Sequence, residues 1–299
     1  MSCELKQPKT FAEQLGILEE RDLLIDNSDE AIRWLQQVNY YRLTGYSFHF
    51  LKGNNKYKKT ASFEIVSKLY LFDSKLRRIL MMFLEPIEIY AHTQIAYWFT
   101  HKHGAGAHYD AANFDNAVFH REFVETMNHQ IECNERSAFV AHHIRKYDGK
   151  MPLWCAVEIL SLSTLSKLYK NMHYGDKKKI ADELGLDPSY IENWLHCFSV
   201  LRNACAHYGR LYNTSMTPEA MLGGKTLRRY PSIRRDSLFA YVVAILRFLP
   251  RDEQRNELRE ALTDLLHDYV DYVELGLLGF PEDWEKILYD SALVDLGKR

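Results

Sequence analysis

Lys75-Leu76-Arg77-Arg78-Ile79-Leu80-Met81-Met82-Phe83-Leu84-Glu85-Pro86-Ile87 is the stretch on which the fold turns. Leu76, Ile79, Leu80, Phe83, Leu84 and Ile87 recur at i, i+3, i+4, i+7 and onward, one apolar stripe on a helix rather than the alternation of a strand. Such a stripe must be covered by other helices. The helical pattern extends over about 62–101. Pro86 should kink it by removing one backbone donor, and the glycine- and histidine-rich 101–108 should break it.

The rest of the chain supplies the covering helices. Thr10-x-x-Glu13 is a capping box opening a helix to about residue 20. Further helices are expected over 29–38, 118–147, 153–172, 176–184, 188–208, 237–249 and 251–273, and lysine-rich 52–59 reads as a surface loop. No convincing strand pattern appears, so the expected class is all-α. We divide it into an N-terminal helical segment (1–60) carrying an Asn-Tyr-Tyr-Arg motif and a helical domain (61–299).

With 299 residues, 46% of them hydrophobic, the chain can bury one large core or two modest ones. The formal net charge of −2 excludes a general polycation, so contact with nucleic acid would have to come from local patches. The first residues lack a signal-peptide pattern, and the apolar run 238–249 is too short to span a bilayer. The five cysteines (Cys3, Cys133, Cys155, Cys197, Cys205) are scattered and never in a CxxC pair. The expectation is a reduced, cytoplasmic protein without a membrane segment, its thiols serving mostly as small core residues.

Helix 188–208 has the clearest ends: Asp187 as N-cap, Pro188 at the first position and Gly209 just past the end. Its last turns carry Arg202, Asn203 and His207. Arg202 and His207, five apart, diverge by roughly 140°. Asn203 lies four before His207, on the same face. An arginine offers phosphate oxygens a planar fork of donors. A histidine titrates near neutrality and can give or take a proton. RNA supplies its own nucleophile in the 2′-hydroxyl, so these groups suffice for cleavage without a metal. The bland alternative is a helix-terminal histidine that only meets the dipole.

Other candidates have bland readings beside the chemical ones. Glu85 and Glu88 more often form a solvated face or tether a neighbouring arginine than make a catalytic carboxylate pair. Glu158, in an apolar helix, calls for a structural salt bridge. His101, His103, His108 and Asp110 fit no helical metal-ligand spacing, and neither metal nor cofactor is expected. Tyr41 and Arg42 could stack a base and hold a phosphate, although packing between helices suits the tyrosines better. Arg228, Arg229, Arg234 and Arg235, in a stretch expected to be a loop, are candidates for guiding an RNA backbone together with Lys177, Lys178 and Arg210.

The wider pattern resembles the Abi-like (AbiD/AbiF) abortive-infection family. The residues that carry the likeness are Asn39-Tyr40-Tyr41-Arg42-Leu43-Thr44-Gly45-Tyr46 and Leu201-Arg202-Asn203-Ala204-Cys205-Ala206-His207-Tyr208-Gly209-Arg210-Leu211-Tyr212-Asn213. Thr10-Phe11-x-x-Gln14-Leu15, Phe72-Asp73-x-x-Leu76-Arg77, Ile87-Glu88-Ile89, Pro152-Leu153-Trp154-x-x-x-Glu158-Ile159-Leu160-Ser161 and Gly279-Phe280-Pro281-x-x-Trp284 corroborate it. The chain departs from the family pattern at Pro86, which stands at a charged position, and at His92, where arginine is frequent. The resemblance implies a HEPN-like helical bundle with additional N-terminal helices and a metal-independent endoribonuclease in phage defence. It also implies a homodimer whose facing copies build the groove. Arg202 would stabilise the phosphate charge, His207 would act as acid or base, and Asn203 would orient the histidine or the RNA. The alternative is an RNA-binding protein that holds a structured regulatory RNA without cutting it. A helical toxin acting on another protein would involve no nucleic acid.

Overall fold

The computed structural model describes residues 5–295, which form fifteen α-helices and short 3₁₀ turns with no strand. The fold is all-α, as the apolar spacing requires. α1 (Phe11–Glu20) opens on the expected capping box: the Thr10 amide donates to Glu13 at 2.8 Å and the Glu13 amide to the Thr10 hydroxyl at 3.2 Å. α2 (Ser28–Gln37) is capped by Asn27, and α3 (Tyr40–Thr44) by Asn39.

α4 (Phe63–His103) runs 41 residues and passes through Pro86 without ending. Its apolar stripe leaves Leu80, Leu84 and Ile87 at 0% exposure. Burial of side chains of this kind contributes about 1.5–3 kcal/mol each. Gly104, at φ +98°, then stops the helix, a conformation that L side chains avoid.

The expected single helix over 118–147 is two, α5 (Ala117–Cys133) and α6 (Ala138–Tyr147). The Asn134 side-chain amide donates to the Gln130 carbonyl at 2.8 Å and closes the last turn of α5. The expected 153–172 helix is likewise divided, into α7 (Leu153–Ala156) and α8 (Leu162–Asn171). Ser161 restarts the chain there as an N-cap, its hydroxyl accepting from Thr164. α9 (Tyr174–Leu184) leads to α10 (Pro188–Ala206), which has the predicted Asp187 cap and Pro188 start.

α11 (Gly224–Arg229) forms where a loop was expected, because Thr226 is fully buried and accepts from Arg247 at 2.7 Å. α12 (Leu238–Phe248) is buried at every position. α13 (Asp252–Asp268), α14 (Trp284–Tyr289) and α15 (Ala292–Asp295) complete the chain.

α4 is the axis on which α7, α9, α10, α12 and α13 pack, and α10 lies in turn against α8 and α9. The C-terminal end of α10, which carries Arg202, is wedged between α4 and the start of α8. Of the described cysteines, Cys197 and Cys205 are buried, Cys155 is half-buried and Cys133 is exposed; Cys3 lies outside the described residues. No helix among the described residues is long and apolar enough to cross a membrane.

Candidate functional site

The chain leaving α10 is fixed from both sides. Asp73, fully buried on α4, takes the amides of Leu211 and Tyr212 (Tyr212 at 2.9 Å), the Tyr46 hydroxyl at 2.6 Å and the guanidinium of Arg77. Burial pushes the Asp73 carboxyl up, while these donors favour its charged form and pull it back. Arg77 also donates to the Gly209 carbonyl at 3.1 Å. From the N-terminal side, Arg42 donates to the Tyr208 carbonyl at 2.6 Å, and Arg210 reaches the Gly45 carbonyl. The tyrosine-rich block is thus a clamp on residues 208–212.

Above this clamp opens a cleft of about 1070 Å³ between α4, α10 and the turn preceding α8. Arg77, Arg78, Met82, Glu85, Glu88, Ile89 and His92 of α4 form one wall. Their spacing of three and four places them on one helical face. Arg202, Cys205, Ala206 and Tyr208 form the second wall, with Gln130, Asn134 and Glu158–Ser161 closing the third side.

Arg202 is the α10 side chain that carries charge into this cleft. Its Nε lies 3.6 Å from Oε2 of Glu88, with the side chain 36% exposed. The other Glu88 oxygen accepts the Leu162 amide at 3.1 Å, at the start of α8. Glu88 therefore ties the arginine to a fixed point, so of its two bland readings it takes the tether and not the solvated face. Asn203 is exposed, its side-chain oxygen 3.5 Å from Arg202 Nη1, beside the arginine rather than on the histidine. His207 is the C-cap of α10; its amide bonds to the Asn203 carbonyl at 3.0 Å. Its ring is exposed and does not line the cleft, whereas Arg202 does.

Electrostatically the cleft is mixed. Arg77 is spent inward on Asp73, so Arg78 and Arg202 supply its positive charge against Glu85, Glu88 and Glu158. Arg78 is exposed and makes no ion pair among the described residues. Glu158 is also exposed and unpaired among the described residues, where a salt bridge was expected. Burial pushes the Cys205 thiol up to about 12, so it is not a nucleophile at neutral pH. His92 is driven down to about 4 by burial, and its Nε2 has no hydrogen-bond partner among the described residues.

The other basic candidates lie elsewhere. Tyr41 is 72% exposed and lines a separate hollow with Phe11 and Phe48. Arg229 pairs with Asp290 at 2.8 Å, Arg234 with Asp236 at 3.1 Å and Arg235 with Glu219 at 3.0 Å. Lys177 meets Glu192 at 3.4 Å and Lys178 meets Asp182 at 2.6 Å. Arg228 alone of this group is exposed without an ion pair among the described residues. None of them lines the cleft. Sequence reasoning missed Arg78, Gln130 and Asn134; for Arg78 the signal was its register with Glu85, Glu88 and His92 on α4. Among the described residues, no three His, Cys, Asp or Glu side chains are grouped so as to hold a metal ion.

These features define an all-helical protein with an arginine-bearing cleft at the end of its best-capped helix. The family model described as Abi-like protein matches residues 33–213, more than half of the chain. The protein belongs to the Abi-like protein family. No curated protein and no solved structure matches it. The matched region begins in α2, contains the Tyr46–Asp73–Arg77 clamp and Arg202–His207, and ends just after Tyr212.

Proposed function

We propose that the protein is a metal-independent endoribonuclease of the HEPN type, acting in abortive-infection defence against phage. The observation that carries this reading is Arg202, held by Glu88 at an open cleft five residues before an exposed histidine. The 2′-hydroxyl of a bound ribose attacks the adjacent phosphorus and gives its proton to a base. Arg202 meets the charge that grows on the phosphorane oxygens. The P–O5′ bond breaks, the leaving oxygen takes a proton, and the products are a 2′,3′-cyclic phosphate and a 5′-hydroxyl. His207 serves as acid or base, and Asn203 helps to orient the arginine or the RNA. Arg78 is the second phosphate contact.

His207 stands outside the cleft wall of its own chain. We therefore place a second copy across the cleft, in a homodimer, with exposed Met82 and Ile89 (54% and 58%) at the rim as the apolar part of the contact. The segment 1–60 supports the site through its clamp rather than by touching RNA.

The test is cleavage of single-stranded RNA by purified protein in EDTA. Wild type cuts, and His207→Ala and Arg202→Ala lose about 10²–10⁴-fold in rate. Inert, folded wild-type protein sinks the nuclease reading. The position of His207 favours one alternative, a protein that grips RNA at Arg202 and Arg78 without cutting it. Intact, specific RNA co-purifying with wild type and absent from Arg202→Ala would establish that instead.

A further inference from the structure

His92 stands between two hollows. On one side is the Arg202 cleft. On the other is a smaller cavity of about 310 Å³, lined by His92, Thr93, Tyr97, His101, Trp154 and Glu158 among others. His92 and Glu158 line both, so the two spaces adjoin.

The smaller cavity has the chemistry of a flat, polar ring. Trp154 is 51% exposed and Tyr97 is 48% exposed, two large aromatic surfaces left in water at its walls. The Tyr97 ring is braced against His101, centroids 3.9 Å apart. His92 is only 9% exposed, and its buried Nε2 has no partner among the described residues. That nitrogen is closed off from the cavity as from water, so His92 serves as wall and not as a contact for an occupant. The volume of the cavity lies at the lower end of small-molecule sites, about 300–1,000 Å³, which suits one ring system and not a longer ligand. His92 follows Glu88 by one helical turn, about 6 Å along α4, so the cavity opens one turn away from the Arg202–Glu88 pair. That step matches the reach from a nucleotide's phosphate to its base.

Charge sets the polarity of the occupant. Glu158, unpaired among the described residues, sits at the junction and repels phosphate, which keeps the backbone on the side of Arg202 and Arg78. A carboxylate only accepts hydrogen bonds, so it favours a base edge that offers amino protons, such as N4 of cytosine.

We propose that this cavity is the base subsite of the cleft: it takes one unpaired base of single-stranded RNA whose phosphate lies at Arg202, stacks it on Trp154 and Tyr97, and prefers cytosine to uracil through Glu158. The inference rests on the reading of the cleft as an RNA site. Stacking between bases and aromatic side chains is sequence-tolerant, so Trp154 supplies affinity and Glu158 supplies choice.

The test is fluorescence anisotropy with 2′-O-methyl octamers of cytidine and of uridine, which bind but cannot be cleaved through the 2′-oxygen. Wild type binds the cytidine octamer more tightly. Trp154→Ala weakens both octamers by about 5- to 150-fold, the span of one lost stacking contact. Glu158→Gln brings the two affinities together, with Arg202→Ala as a control that weakens both and keeps their ratio. Circular dichroism checks that each exposed-site variant is folded. If wild type binds RNA but Trp154→Ala binds equally well, or if Glu158→Gln keeps the preference, the subsite is refuted while the RNA reading of the cleft stands. If wild type binds neither octamer and cleaves no RNA, both fall together.

Discussion

Replacing Asp73 by alanine removes the acceptor on which the chain beyond α10 is built. The carboxylate is 0% exposed and receives the Tyr46 hydroxyl, the Leu211 and Tyr212 amides, and Arg77, itself 5% exposed. In the variant Arg77 keeps, among the described residues, the Gly209 carbonyl at 3.1 Å and a long 3.4 Å contact to Tyr46. Breaking a buried ion pair by deleting one partner costs about 3–5 kcal/mol, because an uncompensated charge stays behind. At roughly 2–4 °C per kcal/mol for a chain of this size, Tm should drop by about 10 °C. Urea unfolding at pH 7, followed by circular dichroism, gives the free energy directly. Asp73→Leu combined with Arg77→Met removes the orphaned charge but still leaves the Leu211 and Tyr212 amides and the Tyr46 hydroxyl without this acceptor, so it should recover only part of the loss. A stability of Asp73→Ala within about 1 kcal/mol of wild type, or a double variant as stable as wild type, would refute the clamp.

Further outcomes follow from the same geometry. His92 and His108 are both driven down to about 4 by burial, from an ordinary 6.5. The unfolded chain therefore takes up protons below pH 6.5 that the folded one refuses. Their contribution is present above 6.5 and is lost as pH falls towards 4, at about 1 kcal/mol each between pH 7.5 and 5.5. Urea midpoints that stay level over that interval would contradict it. Glu88→Gln keeps an acceptor for Leu162 but frees Arg202 from a negative neighbour. RNA binding should tighten with a steeper salt dependence while cleavage slows, and weaker binding would count against the tethering role. Arg202→Lys should lose most activity despite keeping the charge, since an ammonium cannot offer the planar fork; wild-type rates in this variant would show that charge alone suffices.

The helical framework was legible because its signals are local. Asp187 and Pro188 marked the start of α10 and the stripe from Leu76 to Ile87 identified α4, whereas the left-handed residue past the end of α10 is Tyr208 and not Gly209, which was expected there. The break at residues 157–161 was missed because apolar residues continue across it, and that at 134–137 because four polar residues read equally well as one exposed turn of a helix. What interrupts the helix at each is side-chain capping by Asn134 and Ser161, which periodicity does not register. The placing of Arg202 in the last turns of α10 was legible, and its partner Glu88 as a tether was one of the two bland readings. The neutralised basic stretch was not legible. Arg229 finds Asp290 and Arg235 finds Glu219 only after folding, whereas Lys178 and Asp182, four apart on one helix, could have been paired on sight. Nor could spacing alone say that Arg202 and His207 would part company at the cleft wall, since the helix ends between them.

Tyr208 sits at φ +58°, a left-handed backbone that costs an ordinary side chain about 1–2 kcal/mol. What holds it there includes an arginine 166 positions earlier, gripping its carbonyl. The local turn holds it as well, with the Tyr208 amide donating to the Cys205 carbonyl at 3.2 Å and the Gly209 amide to the Ala204 carbonyl at 2.7 Å. Because His207 precedes this residue and stays in the frame of α10, what the distant guanidinium fixes is the direction in which the chain departs towards Leu211 and Tyr212, a bolt fastened from far away in sequence.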